Sequence, residues 1–166
     1  MKKSLIMFVR SLVQHYDHDK YWSLREKVVN GKGCLLLRVF WLYRIKRMDA
    51  KNGASMGTYL ERSASFAEPP SLPYGLYGII VSRNAVIGRN ATIYHQVTIG
   101  VGRGGSPVIG DNVYIGAGAK IIGNVHVGNN VKIGANCVVF MDVPDNCTVV
   151  MPKPRIIRNL ESNSDE

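Results

Sequence analysis

Aliphatic residues recur at every sixth position over the second half of the chain, with one change of register after position 99. A six-residue period matches neither the 3.6-residue turn of an α-helix nor the two-residue alternation of an isolated strand. A fixed internal period of this kind indicates a repeat architecture. The repeated anchors are Val81, Ile87, Ile93, Ile99, Ile109, Ile115, Ile121, Val127, Ile133 and Val139.

Two further sets of residues repeat with the anchors: glycines directly after them, and small residues four positions after them, which we call the small column. Glycine directly follows many of them, and we expect it to adopt backbone angles closed to other residues, so that the chain can turn. Six residues make one strand and one corner, and three such units close a triangular coil of about eighteen residues. Stacking coils about 4.8 Å apart buries a continuous core, so the pattern predicts an all-β parallel β-helix. A small apolar residue stands four positions after most of the anchors: Ala85, Ala91, Val97, Val113, Ala119, Val125, Val131 and Cys137.

The register breaks once, because Ile99 and Ile109 are ten positions apart instead of six. About four extra residues within Val101–Pro107 are therefore expected to leave the prism as a loop, a common place for binding functions on solenoids. Before the regular repeats, Leu60, Phe66 and Leu72 predict a less regular first coil.

The N-terminal region lacks the six-residue period. Residues 1–51 carry twelve Lys or Arg against four Asp or Glu, which is most of the net charge of +9. Leu5, Ile6, Phe8, Val9 and Leu12 predict a short amphipathic helix, and Gly33–Met48 predicts a longer one. We therefore divide the chain into a basic helical region (1–52), a β-helix (53–150) and a C-terminal tail (151–166) that is expected to be partly disordered.

The basic helical region has two interpretations. It either packs on the first coil or on another subunit, or it makes peripheral contact with an anionic membrane. The apolar stretch from Cys34 to Tyr43 contains Arg38 and is too short for a transmembrane span, which needs about 20 apolar residues. No cleavage site of a signal peptide follows Arg10, so we expect a cytoplasmic location, with the inner face of the membrane as the contact surface in the second interpretation.

Composition disfavours several other classes of protein. The basic residues are not interleaved with base-stacking aromatics, so no nucleic-acid partner is predicted. Cys34, Cys137 and Cys147 form neither a disulfide framework nor a metal-binding spacing, which favours a reducing compartment and no metal.

Four segments relate the chain to a known family: 78–81 (GIIV), 93–100 (IYHQVTIG), 115–123 (IGAGAKIIG) and 132–135 (KIGA). From Tyr74 to Arg158, the chain resembles the hexapeptide-repeat acyltransferases, specifically their serine acetyltransferase-like branch. The resemblance implies a left-handed β-helix, a homotrimer, and transfer of an acetyl group from acetyl-CoA to a hydroxyl. Only the resemblance supplies the left hand, since parallel crossovers are nearly always right-handed.

The resemblance also implies a donor groove between neighbouring subunits, lined by the last coils. Small residues there let the pantetheine arm run close to the backbone, while cations meet the phosphates. Lys132 has a second interpretation as a solvated corner residue. The implied cofactor-binding residues are Gly100, Ala117, Lys132, Ala135 and Arg155.

His95 is the candidate general base, because acetyl transfer requires removal of the hydroxyl proton and histidine titrates near neutral pH. It follows an inward anchor by two positions and so should point outward. The chain departs from the family where a catalytic histidine is expected, at Tyr74 or Gly75, and again where a second histidine is expected, around Ser106-Pro107. Tyr74 and Tyr94 are the candidate acceptor-binding residues.

These departures leave three functions open. The main hypothesis is an O-acetyltransferase acting on a sugar or polysaccharide precursor, with His95 as base. The alternatives are a catalytically inactive trimeric scaffold and a serine O-acetyltransferase. A zinc hydratase on the same prism is rejected, because it needs three histidines and the repeats hold only His95 and His126.

Overall fold

The computed structural model describes residues 16–31 and 33–157, which form two helices and thirteen short strands. The helix predicted around Leu5–Leu12 lies outside the described residues. The elements, in chain order, are α1 (His18–Val29), α2 (Leu35–Lys51), β1 (Ser55–Met56), β2 (Ser65–Phe66), β3 (Ile80–Val81), β4 (Val86–Ile87), β5 (Thr92–Ile93), β6 (Thr98–Gly100), β7 (Val108–Ile109), β8 (Tyr114–Ile115), β9 (Lys120–Ile122), β10 (His126–Val127), β11 (Lys132–Ile133), β12 (Val138–Val139) and β13 (Thr148–Val149).

The strands form three parallel sheets that make the sides of a prism. Sheet I has the order β1-β3-β6-β9-β12, sheet II β10-β7-β4-β2, and sheet III β13-β11-β8-β5. Because neighbours within each sheet are one coil apart, Ile93 pairs with Ile115, and Ile115 with Ile133. This in-register stacking is the predicted parallel β-helix.

The predicted columns form its core. Every anchor is at most 3% exposed, and every member of the small column at most 4%. The irregular first coil is also present, with Phe66 paired to Ile87. Its anchor in sheet I is Met56, which pairs with Val81, whereas Leu60 only packs against the core from outside.

The turning role expected of the glycines after the anchors is wrong. The left-handed backbone falls three positions after the anchors, with φ of 52° at Asn90 and 58° at Asn112. Glycine follows the anchor because coils approach each other there: a Cβ on Gly88 would lie 2.5 Å from the carbonyl oxygen of Gly110. Glycine is therefore required after the anchor by the lack of space between coils and not by its backbone angles.

The sequence pattern missed helix α1. Its start is marked by Asp17, whose side chain accepts a hydrogen bond from the Lys20 backbone N–H, an N-cap arrangement. Its buried face includes Tyr21, Leu24 and Val28, at helical spacing. The aromatic Trp22 and the charged Arg25 are buried on the same helix and obscure this periodicity in the sequence.

Helix α2 begins and ends near its predicted positions, but only part of its apolar surface is covered. Ile45 and Asp49 are buried, while Leu36 is 81% exposed and Phe40 53%. The interpretation that this apolar surface packs on the first coil therefore holds only for its inner side. Within residues 16–31 and 33–157, neither helix is long and apolar enough to cross a membrane.

Candidate functional site

The corner between sheets III and I positions His95. Strand β5 ends at the fully buried Ile93, and the chain turns at Gln96, whose φ is 58°. The Tyr94 N–H donates to the Ile115 carbonyl (3.0 Å), and the Gly118 N–H donates to the His95 carbonyl (3.0 Å). These bonds to the next coil hold the backbone of the corner while the imidazole remains partly exposed on the outside of the prism.

A row of three tyrosines extends from the His95 ring, and Tyr74 is the one in contact with it. The ring centroids of Tyr74 and His95 are 4.9 Å apart in an edge-to-face arrangement, those of Tyr74 and Tyr94 5.9 Å, and those of Tyr94 and Tyr114 5.1 Å. We call Tyr74, Tyr94, His95 and Tyr114 the aromatic cluster. The structure thus brings together the predicted base and both predicted acceptor-binding residues.

Tyr114 was missed by the sequence analysis. It lies in register with Thr92 on the coil above and Lys132 on the coil below. Its hydrogen bond with Tyr94 raises the pKa of its phenol above the ordinary value. The available signal was its position directly before the anchor Ile115, which places its side chain outside the prism.

The Nδ1 atom of His95 is buried and has no hydrogen-bond partner among the described residues. A buried polar atom left unpaired costs about 1–3 kcal/mol, and such atoms are few in folded proteins. No described carboxylate orients the ring through Nδ1, so this histidine is positioned by Tyr74 and by its backbone. Because Nδ1 is buried and the imidazole is partly exposed, Nε2 is the ring nitrogen that can accept a proton from a bound hydroxyl.

Small residues continue the corner below His95. Ala117 and Ala135 follow the stacked anchors Ile115 and Ile133 by two positions, as His95 follows Ile93. The Asn136 N–H donates to the Ala117 carbonyl (2.8 Å), which ties these coils together. We call Ala117 and Ala135 the alanine track, because they leave the surface beneath the imidazole free of long side chains.

The other predicted cofactor-binding residues are more widely placed. Lys132 is exposed on sheet III, one coil below Tyr114. Gly100 ends strand β6 at the opposite edge of sheet I from His95, and a Cβ there would lie 2.9 Å from Ile122 Cδ1. Arg155 is exposed in the segment after β13. Gly100 and His95 therefore lie at different corners of one chain.

The predicted loop Val101–Pro107 is present and compact. The Gly102 N–H donates to the Gly105 carbonyl (3.0 Å), and a Cβ on Gly102 would lie 2.8 Å from Gly123 Cα, so the loop rests on the next coil. Ser106, where the family resemblance places a second histidine, has its Oγ 3.0 Å from Ser82 Oγ. This loop lies at the corner between sheets I and II, a different corner from that of His95.

Metal ligands are not grouped in the described part of the chain. Across residues 16–31 and 33–157, no three His, Cys, Asp or Glu side chains are placed to hold a metal ion. His126 lies exposed in β10 of sheet II, away from the corner that carries His95.

Comparisons with known proteins agree with this architecture. A family model described as bacterial transferase hexapeptide (six repeats) matches residues 106–140. Serine acetyltransferase from Staphylococcus aureus (strain Mu50) is 49% identical over 120 residues, covering 66% of this chain and 55% of the relative. This chain thus spans about half the length of the curated relatives it matches.

Solved structures show the same likeness. The structure of Neisseria gonorrhoeae serine acetyltransferase in complex with serine aligns with a TM-score of 0.65 and 33% identity, covering 81% of this chain and 54% of that one. A serine acetyltransferase solved in complex with CoA aligns with a TM-score of 0.63 and 29% identity, covering 78% and 50%. Together these matches confirm that the chain resembles the serine acetyltransferase-like branch of the hexapeptide-repeat acyltransferases, and that its fold is the left-handed parallel β-helix implied by that resemblance.

Proposed function

We propose that the protein is an acetyl-CoA-dependent O-acetyltransferase of the serine acetyltransferase type, with L-serine as the first acceptor to test. The observation that carries this proposal is the partly exposed imidazole of His95, which lies edge to face with Tyr74 above the alanine track and, with Nδ1 buried, leaves Nε2 for an acceptor hydroxyl. The similarity to serine acetyltransferases, among them proteins solved with serine and with CoA, supports the reaction class and favours serine over the sugar acceptor expected from the sequence.

In the proposed reaction, acetyl-CoA supplies the acetyl group as its thioester. His95 accepts the proton of the acceptor hydroxyl while the hydroxyl oxygen bonds to the thioester carbonyl carbon. The carbon–sulfur bond then breaks, and the imidazolium returns the proton to the departing sulfur, giving an O-acetyl ester and free CoA. Backbone N–H groups facing the developing oxyanion would lower the barrier.

The donor is proposed to lie along the alanine track, with its phosphates near Lys132 and Arg155. Cationic side chains form strong charge-assisted hydrogen bonds with phosphate oxygens. Because Gly100 and His95 occupy different corners of one chain, a groove that uses both must combine two copies. A homotrimer would place the corner of one subunit that carries His95 beside the neighbouring corner that carries Gly100.

A sugar hydroxyl is the second candidate acceptor. The observation in its favour is the tyrosine wall made by Tyr74, Tyr94 and Tyr114, since aromatic rings line many small-molecule sites and pack on apolar ligand faces. The α-amino group of serine requires an acidic or carbonyl partner, and the aromatic cluster contains no carboxylate. This acceptor is the one to test beside serine.

The test follows thiol release from acetyl-CoA by the purified full-length chain, with L-serine and a panel of sugars as acceptors. We expect acceptor-dependent release, and His95→Gln should lower kcat by about 10²–10⁴-fold, the usual contribution of a general base. The matched control is His126→Gln, which removes an exposed histidine from another side of the prism and should leave kcat unchanged.

Two results would count against the proposal. If CoA binds but no acceptor accelerates thiol release, the chain is the inactive scaffold that the departure at Tyr74 left open. If His95→Gln retains full kcat in a correctly folded protein, His95 is not the base. Sedimentation of the active protein determines whether it is a trimer. Activity in a monomer would exclude a groove shared between subunits.

A further inference from the structure

An apolar surface remains uncovered on the first half of helix α2. Leu36 is 81% exposed, Phe40 53% and Tyr43 60%, and their spacing of four and three residues places them on one face. We call these three residues the apolar stripe. The opposite face carries Ile45 and Asp49, which are buried against α1 and the first coil. Leu35, Leu37 and Val39 flank the apolar stripe and are also exposed.

The same face of α2 becomes basic in its second half. Arg47 lies four residues after Tyr43, and Lys51 four residues after Arg47. With Arg44 and with Lys20 of α1, they line a cleft of about 320 Å³ whose other lining residues are Tyr16, Asp17, Tyr43 and Met48. We call this the basic cleft. Its lining holds four cations and one carboxylate, so it favours an anionic ligand.

The apolar stripe and the basic cleft are continuous, since Tyr43 belongs to both. The guanidinium of Arg44 also lies 5.9 Å from the ring centre of Phe40, so charge and apolar surface meet along the helix. An anionic phospholipid has the matching arrangement, with a phosphate at the surface and hydrocarbon beside it. Helices that lie in a membrane interface combine an apolar face with Lys and Arg in this way.

Charge disfavours the other occupants of this surface. A second copy packed stripe against stripe about a two-fold axis would leave both basic clefts without an anionic partner, whereas an anionic surface meets the stripe and the cleft together. The segment 1–15 carries Lys2, Lys3 and Arg10 and no Asp or Glu, so it has no acidic group to offer the cleft.

We propose that the outer face of helix α2, with the basic cleft beside it, docks on an anionic phospholipid surface. Phe40 and Leu36 enter the interface between headgroups and acyl chains, while Arg47, Lys51 and Lys20 contact lipid phosphates. This function is separate from acetyl transfer, since neither the aromatic cluster nor the alanine track takes part.

The test is flotation of the full-length chain with vesicles of phosphatidylcholine and phosphatidylglycerol in equal parts, against vesicles of phosphatidylcholine alone. We expect retention on the anionic vesicles only, falling as salt is raised, because screening weakens surface charge attraction. The double variants Leu36→Ser/Phe40→Ser and Arg47→Glu/Lys51→Glu should each lower the retained fraction at least tenfold. Melting curves should stay unchanged, since all four side chains are exposed.

Matched control variants distinguish binding through this surface from non-specific adsorption to vesicles. Val138→Ser/Phe140→Ser removes two exposed apolar side chains from the β-helix, and Arg62→Glu/Arg83→Glu reverses two exposed charges there. Both controls should float like the parent chain. Failure of the parent chain to float at low salt, or equal losses in variants and controls, overturns the proposal. A change of oligomeric state in the α2 variants without any change in flotation assigns the face to a second copy instead.

Discussion

The β-helix and the helix pair of this protein are stabilised by different kinds of contact. In the β-helix, Ile93, Ile115 and Ile133 stack in register, so each buried residue meets an equivalent one on the next coil. In the helix pair, the buried guanidinium of Arg25 lies 5.2 Å from the ring centre of Trp22 and 4.7 Å from that of Phe66, and it donates to Thr58 Oγ1 and to the Ala64 carbonyl. The first region repeats one contact, whereas the second depends on contacts that occur once.

This difference shows where each region is vulnerable. Loss of one anchor leaves a cavity in the core, while the other anchors of the same sheet keep their contacts. The free energy of unfolding then falls because packing contacts are lost. Loss of one polar group in the helix pair leaves its partners buried and unpaired. The junction also holds Asp49, which accepts a hydrogen bond from the Tyr21 hydroxyl at 2.7 Å.

The largest expected effect comes from an anchor at the centre of the β-helix. Ile121→Ala removes a fully buried side chain paired with Ile99 and Val139, and we expect the free energy of unfolding to fall by about 2–5 kcal/mol. Urea unfolding followed by circular dichroism measures it. Val138→Ala, at a side chain 55% exposed, is the control and should cost less than about 0.5 kcal/mol. Equal decreases in the free energy of unfolding for the two variants would show that the buried anchors do not contribute more to stability than exposed residues of the coil.

Next in size is the removal of Arg25, a buried cation that joins α1 to the first coil. Arg25→Met keeps much of the apolar volume but leaves Thr58 Oγ1 and the Ala64 carbonyl without this donor, at a cost of about 2–3 kcal/mol. Hydrogen exchange should show loss of protection in α1 while the β-helix amides keep theirs. Arg62→Met, at an exposed arginine, should change neither. Loss of protection throughout the β-helix would mean that the two regions unfold as one unit.

A pH dependence distinguishes the two regions further. Burial raises the pKa of Asp49 to about 6 from its ordinary value of 3.8, against the opposing effect of the Tyr21 hydrogen bond. The native state therefore binds more protons than the unfolded state between about pH 4 and pH 6, and the free energy of unfolding falls as pH rises through this window. The contribution is about 2–3 kcal/mol, at 1.36 kcal/mol per pKa unit.

Asp49→Asn should flatten this part of the pH profile, because the amide oxygen still accepts from Tyr21 but carries no charge. Urea unfolding at a series of pH values compares the variant with the parent and with Asp19→Asn, an exposed carboxylate of α1. Parallel profiles for the Asp49 variant and the parent would assign the pH dependence to other groups.

The smallest expected effect concerns a corner of the β-helix. Asn112 has a φ of 58°, accepts a hydrogen bond from Asn90 and donates one to Asn130, each at 3.0 Å. Asn112→Ala loses both bonds and forces alanine into the left-handed region, at about 1–2 kcal/mol. Asn112→Gly loses the bonds without the strain and should cost roughly half as much. Equal melting temperatures for the two variants would exclude strain as the source of the cost.

Prediction from sequence succeeded where contacts repeat locally. The anchors and the small column could be identified because each occupies one place in a six-residue unit. The reason for the glycine after each anchor could not, since the close approach of Gly88 to Gly110 exists only between stacked coils. Helix α1 was missed because its buried face includes Arg25, a charged residue whose burial depends on partners 33 and 39 positions away.

The candidate site was predictable to a similar extent. His95 and its outward direction follow from its distance to Ile93 and from the family resemblance. The alignment of Tyr114 with Thr92 depends on a coil of 22 residues, lengthened by the loop after Gly100, so a regular period of 18 would not have placed it there. The buried, unpaired Nδ1 of His95 also arises only from the packing of Tyr74 and the neighbouring coil.

By itself, the sequence determined the parallel β-helix, its inward anchors and the outward histidine, because these follow from a short period that each coil repeats. Tertiary structure alone decided the other features. It placed Tyr74 against His95 and Tyr114 against Tyr94, and it put Gly100 at a different corner from His95. It also buried Arg25 and Asp49 at the junction and left Leu36 and Phe40 exposed. The physical reason is that each of these features depends on contacts between residues far apart in the chain, which no local pattern of apolar and polar positions records.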